Sequence, residues 1–184
     1  MRAVVVYESM YGNTHLIANA IANGLSQSVD ASVVSVHDVK AALAPGVDLL
    51  VVGGPTHVHG MTRPSTREAA VEAARKPDRG LTVDPDAEGP GVREWLDSAG
   101  PRDALADTRA AAFDTRVDAP ATFTGRASKG IARKLRDLGC SLIAEPESFL
   151  VTKEDHLEAD EEDHARRWGA TLAAALPSNA SDVH

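Results

Sequence analysis

Apolar residues along the chain alternate between two periods. Ala3-Val4-Val5-Val6-Tyr7 is a continuous, largely β-branched run, the pattern of a strand buried on both faces of a parallel sheet. From Asn13 the period becomes helical, with Ile17, Ile21 and Leu25 recurring every four residues and Ala18 and Ala22 on the same stripe. Gly24 stands near the end of that helix, and Val33-Val34-Ser35-Val36 is the next strand-like run. Asp48-Leu49-Leu50-Val51-Val52-Gly53 reads as a core strand. Ala110-Ala111-Ala112-Phe113 is weaker on propensity but lies where a fourth strand belongs. Ile131, Leu135 and Leu138 define a helix with Arg133, Lys134 and Arg136 outward. Ser141-Leu142-Ile143 and Phe149-Leu150-Val151 flank Pro146 and read as one interrupted strand. A last helix buries Ala165, Trp168, Leu172 and Leu176.

This alternation predicts a doubly wound α/β fold: a five-stranded parallel sheet with helices on both faces. One domain is expected over residues 1–176, followed by a flexible tail over 177–184 carrying the sequon Asn179-Ala180-Ser181. The rhythm breaks between Pro77 and Pro101. There Pro85, Pro90, Gly80, Gly89, Gly91 and Gly100 mark a long excursion, and Val92-Arg93-Glu94-Trp95-Leu96 has room for a short helix.

The composition narrows the function classes. Of 184 residues, 43% are hydrophobic and 25% charged, enough apolar content for a packed core. Lys and Arg number 19 against 27 Asp and Glu, a formal charge of −8, which argues against a nucleic-acid binder. The same surplus permits a basic protein partner. A single cysteine, Cys140, excludes an intramolecular disulfide and reads as a small buried residue. The chain enters its first strand at once and has no apolar run of membrane-spanning length, so a soluble cytoplasmic protein is expected.

In open α/β sheets ligands bind beyond the carboxyl ends of the strands, where the strand order reverses. After strand one comes Glu8-Ser9-Met10-Tyr11-Gly12-Asn13-Thr14. It lacks the glycine spacing of a dinucleotide fingerprint and the Gly-Lys-Ser/Thr of a nucleotide-triphosphate loop. It offers hydroxyls at Ser9 and Thr14, an amide at Asn13 and backbone N–H groups around Gly12, at a helix N-terminus. Such a site suits a phosphate monoester held by neutral donors and the helix dipole. With no Lys or Arg from Glu8 to Thr14, it suits phosphoryl transfer poorly. The competing structural reading is an ordinary capped helix, with Asn13 or Thr14 as the cap. On spacing alone the two stand level.

Ser9-Met10-Tyr11-Gly12-Asn13-Thr14 resembles the phosphate loop of the flavodoxin family, Ser/Thr-x-Thr/Tyr-Gly-Asn/His-Thr, which holds the phosphate of FMN. Gly53-Gly54-Pro55-Thr56-His57-Val58-His59-Gly60-Met61, after strand three, is similar in position to the family's loop against the flavin ring. Phe113-Asp114-Thr115-Arg116 resembles the third flavin loop, and Gly125-Arg126-Ala127-Ser128-Lys129-Gly130 starts the next helix. The resemblance runs from about Ala3 to Leu176. It implies FMN as cofactor. It places Ser9, Met10, Tyr11, Gly12, Asn13 and Thr14 at the phosphate, Pro55, Thr56, His57, Val58 and His59 along the ring, and Thr115 and Arg116 opposite. Gly60 is the candidate for a peptide that turns toward reduced flavin, having no Cβ to resist the flip. Arg116 would stabilise negative charge on the reduced ring. The family's aromatic sandwich is missing: the ring loop has only histidines, and no aromatic follows Arg116 before Phe123. Trp95 is either a ring cover carried by the excursion or a core anchor for it.

Other constellations are weaker. His57-x-His59 lacks the further ligands of a metal site, and Glu161-x-x-His164 has no second copy to make a di-iron centre. The acids from Glu154 to Asp163 read as a solvated helix start, with docking to a basic reductase or oxidase as the sharper alternative. A phosphorelay receiver is excluded, because strand three ends in Gly53-Gly54-Pro55 rather than Asp. The first expectation is therefore an FMN-binding carrier passing electrons singly to a protein partner. The alternative is an NAD(P)H-dependent reductase of quinones or similar molecules, with the excursion covering a second substrate. A binding protein that has lost its flavin is a third class, disfavoured by the intact phosphate loop.

Overall fold

The structure is a computed structural model describing residues 1–43, 46–76, 80–85, 87, 89–98 and 105–177. The outer ends of the excursion (Pro77, Gly100 and Pro101) and the tail from residue 178, with its sequon, lie outside the described residues. Strand β1 (Arg2–Tyr7) pairs in parallel with β2 (Asp30–Ser35) on one side and β3 (Leu49–His57) on the other. β3 carries a short antiparallel partner, β4 (Gly60–Met61), and then pairs in parallel with β5 (Arg109–Val117). Both β6 (Ser141–Leu142) and β7 (Glu147–Val151) pair in parallel with β5, so the interrupted fifth strand occupies one edge position. The order β2-β1-β3-β5-β6 is that of a flavodoxin-like doubly wound sheet.

The pleat divides β1 between two cores. Ala3, Val5 and Tyr7 face helices α1 (Asn13–Leu25) and α7 (Glu161–Ala174), joining Ile17, Ile21, Phe113, Phe149, Trp168 and Leu172. Val4 and Val6 face the other layer, with Leu50, Val52, Trp95, Leu105, Ile131 and Leu135. Here lie α4 (Val92–Asp97) and α6 (Ala127–Asp137); the short α2 (Val39–Ala42), α3 (Pro64–Ala74) and the single turn α5 (Ala121–Thr124) are the other described helices. α1 and α7 approach closely through glycine: a Cβ on Gly24 would collide with the Arg166 carbonyl, and one on Gly169 with the Ile21 carbonyl.

The structure amends the expected elements in three places. The fourth apolar run is a full strand, Arg109–Val117, so Thr115 and Arg116 end a strand instead of occupying a loop. Pro55, Thr56 and His57 likewise extend β3, which turns back through β4 as a hairpin. α3 escapes the hydrophobic pattern because Arg67 and Ala70 are its buried residues, and one of these is charged. Trp95 is 8% exposed within the second core, which makes it the anchor of the excursion and not a ring cover. None of the described helices is long and apolar enough to cross a membrane.

Candidate functional site

The strand order reverses at β1, whose two neighbours leave in opposite directions along the sheet. Beyond the carboxyl ends of β1, β3 and β5 lies a cleft of about 200 Å³. The first loop lines it with Met10, Tyr11, Asn13 and Thr14, and the end of β3 with Pro55, Thr56, His57 and Val58. Thr115, Arg116 and Val117 close it from β5, and Val151 and Asp155 from the end of β7 and beyond.

On the β1 side, α1 begins at Asn13 behind Gly12, whose φ of 91° is open to glycine and costly for other residues. No side chain caps this helix, so the expected alternative of Asn13 or Thr14 as an N-cap is not what forms. The first-turn N–H groups of α1 therefore have no intrahelical acceptor. The side chains around them are ordered by one another. The Gly12 N–H donates to Ser9 Oγ at 3.0 Å, and the Asn13 amide donates to the Asp155 carbonyl at 2.7 Å. The hydroxyls of Thr14 and Thr115 share a hydrogen bond of 2.8 Å between two buried residues. One proton of that hydroxyl pair is left over for a further acceptor. Tyr11 turns elsewhere: its hydroxyl donates to the Ala70 carbonyl of α3 at 2.9 Å.

On the β3 side, His57 pairs with Gly60 across the β3–β4 hairpin, leaving Val58 and His59 as its two-residue tip. Both have positive φ, 44° and 69°, as the mirror-image hairpin turns require. Such turns favour Asn-Gly; a β-branched valine there holds local strain at the mouth of the cleft. Val58 is 81% exposed. His57 Nδ1 and Arg116 Nε are buried polar atoms without a hydrogen-bond partner. Burial pushes the His57 imidazole below its ordinary pKa, against an upward pull from Asp155, so the ring is neutral at pH 7. Arg116 is fixed by donating from one terminal nitrogen to the Ala119 carbonyl at 2.7 Å.

The hairpin is held from behind by a buried polar network. Glu8, 3% exposed, accepts hydrogen bonds from the Thr62 hydroxyl and from the Val92 N–H at 2.8 Å. Burial raises its pKa, opposed by those two hydrogen bonds and by the Arg67 charge. Arg67 donates to Thr62 at 3.1 Å and pairs with Glu94 at 3.0 Å. Arg93 donates to the carbonyls of Thr62 and Met61 at 2.9 and 2.8 Å. Residues 91–94 of the excursion thus grip the return strand of the hairpin. From the other side, Thr56 Oγ accepts the Ala127 N–H at 2.9 Å, and Gly125 bridges to His59.

The Flavodoxin family model matches residues 5–168. The chain belongs to the flavodoxin family. Members of that family bind FMN and carry electrons. Its likenesses among solved structures include a flavodoxin from the domain Archaea, 24% identical, with 95% of this chain and 97% of that one covered at a TM-score of 0.62. Flavodoxin 1 from Bacillus cereus is 19% identical, with coverage of 96% and 100% and a TM-score of 0.65. A WrbA-like flavodoxin from Agrobacterium tumefaciens is 19% identical, covered at 94% and 95%, with a TM-score of 0.59. At these identities the likeness speaks for the fold. No curated protein matches the chain.

The sequence-derived site residues divide between the cleft and a neighbouring groove, with Val58 lining both. Met10, Tyr11, Asn13, Thr14, Pro55, Thr56, His57, Val58, Thr115 and Arg116 meet at the cleft. Ser9 is buried and bonded to Gly12, while His59 and Gly60 line the neighbouring groove. Asp155 is the residue that pattern reading assigned to the solvated acidic run. Its backbone carbonyl holds Asn13 and its carboxylate acts on His57. The signal for it was topological: it follows the fifth strand, at the same sheet edge as the other three segments that line the cleft. The donor set fits FMN. Helix N–H groups with no side-chain cap and a spare hydroxyl proton suit its phosphate, and the unpartnered His57 Nδ1 and Arg116 Nε suit the polar edge of a flavin ring.

Proposed function

We propose that this chain is an FMN-dependent electron carrier that hands electrons singly to a protein partner, with residues 1–176 as its working unit. The observation that carries the reading is the uncapped start of α1 set opposite His57 and Arg116 across one cleft. FMN, when bound, supplies the electron storage. The chain's own residues hold and orient it. The N–H groups at Asn13 and Thr14 and the Thr14–Thr115 hydroxyl pair offer the phosphate donors without a full cationic charge. Arg116, anchored to the Ala119 carbonyl, places a fixed positive charge where negative charge would grow on reduction. His57, neutral at pH 7, contributes a hydrogen-bonding edge instead of a second cation.

Two features favour a carrier over a reductase. A cleft of about 200 Å³ is smaller than the ~300–1,000 Å³ of pockets that engulf a ligand, which supports an exposed reacting edge. The described residues of the Pro77–Pro101 excursion, which the reductase reading expected to cover a second substrate, supply none of the cleft lining. Their Trp95 and Val92 are core, and Arg93 braces the hairpin. Anaerobic stepwise reduction of the FMN-loaded protein, followed by visible spectra, tests the assignment. Two separated one-electron potentials are expected, with slow turnover of NADPH. A single two-electron transition with rapid NADPH-driven quinone reduction would make the chain a reductase.

A further inference from the structure

The hairpin tip also borders a second, basic groove that shares Val58 with the cleft, in a chain whose formal charge is −8. A groove there is lined by His59 and Gly60 at one end and by Arg63, Arg93, Arg126, Lys129, Arg133 and Arg136 along its walls. None of its described lining residues is acidic, and Glu145 borders Arg126, Lys129 and Arg136 on their other side. Among the described residues, none of these six cations forms an ion pair with a carboxylate. Two are held by backbone oxygens: Arg93 by Met61 and Thr62, and Arg126 by Pro146, with Ser148 Oγ as a further acceptor. Arg126, Lys129, Arg133 and Arg136 follow one another at spacings of three and four residues from the start of α6, forming a row of ~15 Å. Lys129, Arg133 and Arg136 are exposed. Beside the near end of the row stand two exposed apolar side chains, Val58 at the hairpin tip and Phe123, two residues before the Gly125 that bridges His59.

We propose that this basic groove docks the carboxylate-rich face of an acidic protein redox partner, bringing it against the hairpin that borders the flavin cleft. The proposal rests on the carrier reading above and reverses the partner charge expected from net charge alone. Charges separated by more than a Debye length of ~8–10 Å are screened at physiological salt, so the partner responds to the local row and not to the chain's total. An extended row of exposed cations with exposed Val58 and Phe123 at one end has the mixed charged and apolar make-up of a protein interface. A cage for one small phosphate would instead bury its cations around a point.

The test uses an acidic plant-type ferredoxin as probe and basic mitochondrial cytochrome c as the opposite-charge comparison. Binding to apoprotein and FMN-loaded protein is measured by calorimetry, and electron transfer to the loaded protein by stopped flow, from low to high salt. Arg133→Glu is compared with Arg167→Glu, which makes the same charge change on exposed α7 across the sheet. The expected result is ferredoxin affinity and rate that fall with salt, both lowered at least fivefold by Arg133→Glu and less than twofold by Arg167→Glu. Lys129→Gln is expected to give an intermediate loss. Equal effects of the two Glu variants overturn the proposal, as does tighter binding of cytochrome c at low salt. Loss of NADPH-driven reduction in Arg133→Glu with ferredoxin unaffected overturns it in favour of a dinucleotide site. Failure of FMN to load counts against the carrier reading alone, because calorimetry on the apoprotein still reports the groove.

Discussion

Gly125 is the position at which local geometry and the proposed function can be separated most cleanly. Its φ is 73°, and a Cβ built there would fall inside the 3.0 Å approach limit of the His59 carbonyl oxygen, carbonyl carbon and Cα. Gly125→Ala therefore carries two penalties. With ψ at −173°, its backbone lies in an extended mirror region that is essentially reserved for glycine and costs an alanine about 1–3 kcal/mol. Collision with backbone, which has no rotamer to swing away, adds about 1–3 kcal/mol of overpacking. Gly80→Ala is the internal reference. Its φ of 62° is also positive and its Cβ would meet no described atom within 4 Å, so it carries a backbone penalty without the collision. Urea denaturation of the two apoproteins is expected to place Gly125→Ala about 1–3 kcal/mol below Gly80→Ala. The collision also pushes His59, and with it the strained Val58-His59 turn, so FMN affinity is expected to fall at least tenfold in Gly125→Ala and to hold in Gly80→Ala. A tenfold change corresponds to about 1.4 kcal/mol. Equal stability and equal FMN affinity for the two variants would refute the claim that the 118–127 segment positions the ring-side hairpin.

Further outcomes follow from the buried groups. Arg67→Ala leaves the buried Glu8 carboxylate facing Thr62 without its cation, and is expected to destabilise the protein by about 3 kcal/mol in denaturant melts. His57, with its pKa lowered by burial, favours the folded state in its neutral form. Its contribution is full above the ordinary histidine pKa and is lost as pH falls through the lowered one, so His57→Gln is expected to lessen the acid-side loss of stability below about pH 6.5. Cys140, whose thiol burial pushes up to about 11 and which donates to the Leu105 carbonyl, is expected to resist thiol reagents at pH 8 until the protein unfolds. Rapid labelling of the folded protein would contradict its burial.

The fold was legible because the elements that define it carry strong periods. β1 and β3 are continuous apolar runs, and α1 and α7 show clean four-residue stripes that meet through Gly24 and Gly169. α3 was not legible, since Arg67 takes a buried position through ion pairing that no hydrophobic pattern records. The hairpin was hidden for a related reason. Val58-His59 is not turn chemistry, and the turn is imposed by Gly125, Ala127 and Arg93 from distant parts of the chain. At the site, the residue types of the first loop were readable, but their deployment was not. Tyr11 commits its hydroxyl to α3, and Asn13 commits its amide to Asp155, through contacts 59 and 142 residues apart in sequence. The excursion looked like a cover for a substrate. Its role as a brace depends on the buried Glu8–Thr62–Arg67 network, which exists only once β1 and the hairpin are side by side.

The central claim is that the uncapped start of α1 and the cleft beside it hold FMN by its phosphate. Titration of the apoprotein with FMN and with riboflavin, followed by quenching of flavin fluorescence, tests this most directly. The two ligands share the ring and differ in the phosphate. FMN is expected to bind at least a hundredfold more tightly than riboflavin, with Thr14→Val removing at least tenfold of that difference. Equal affinity for the two flavins, or no binding of either, would contradict the assignment of the α1 N-terminus as the phosphate site.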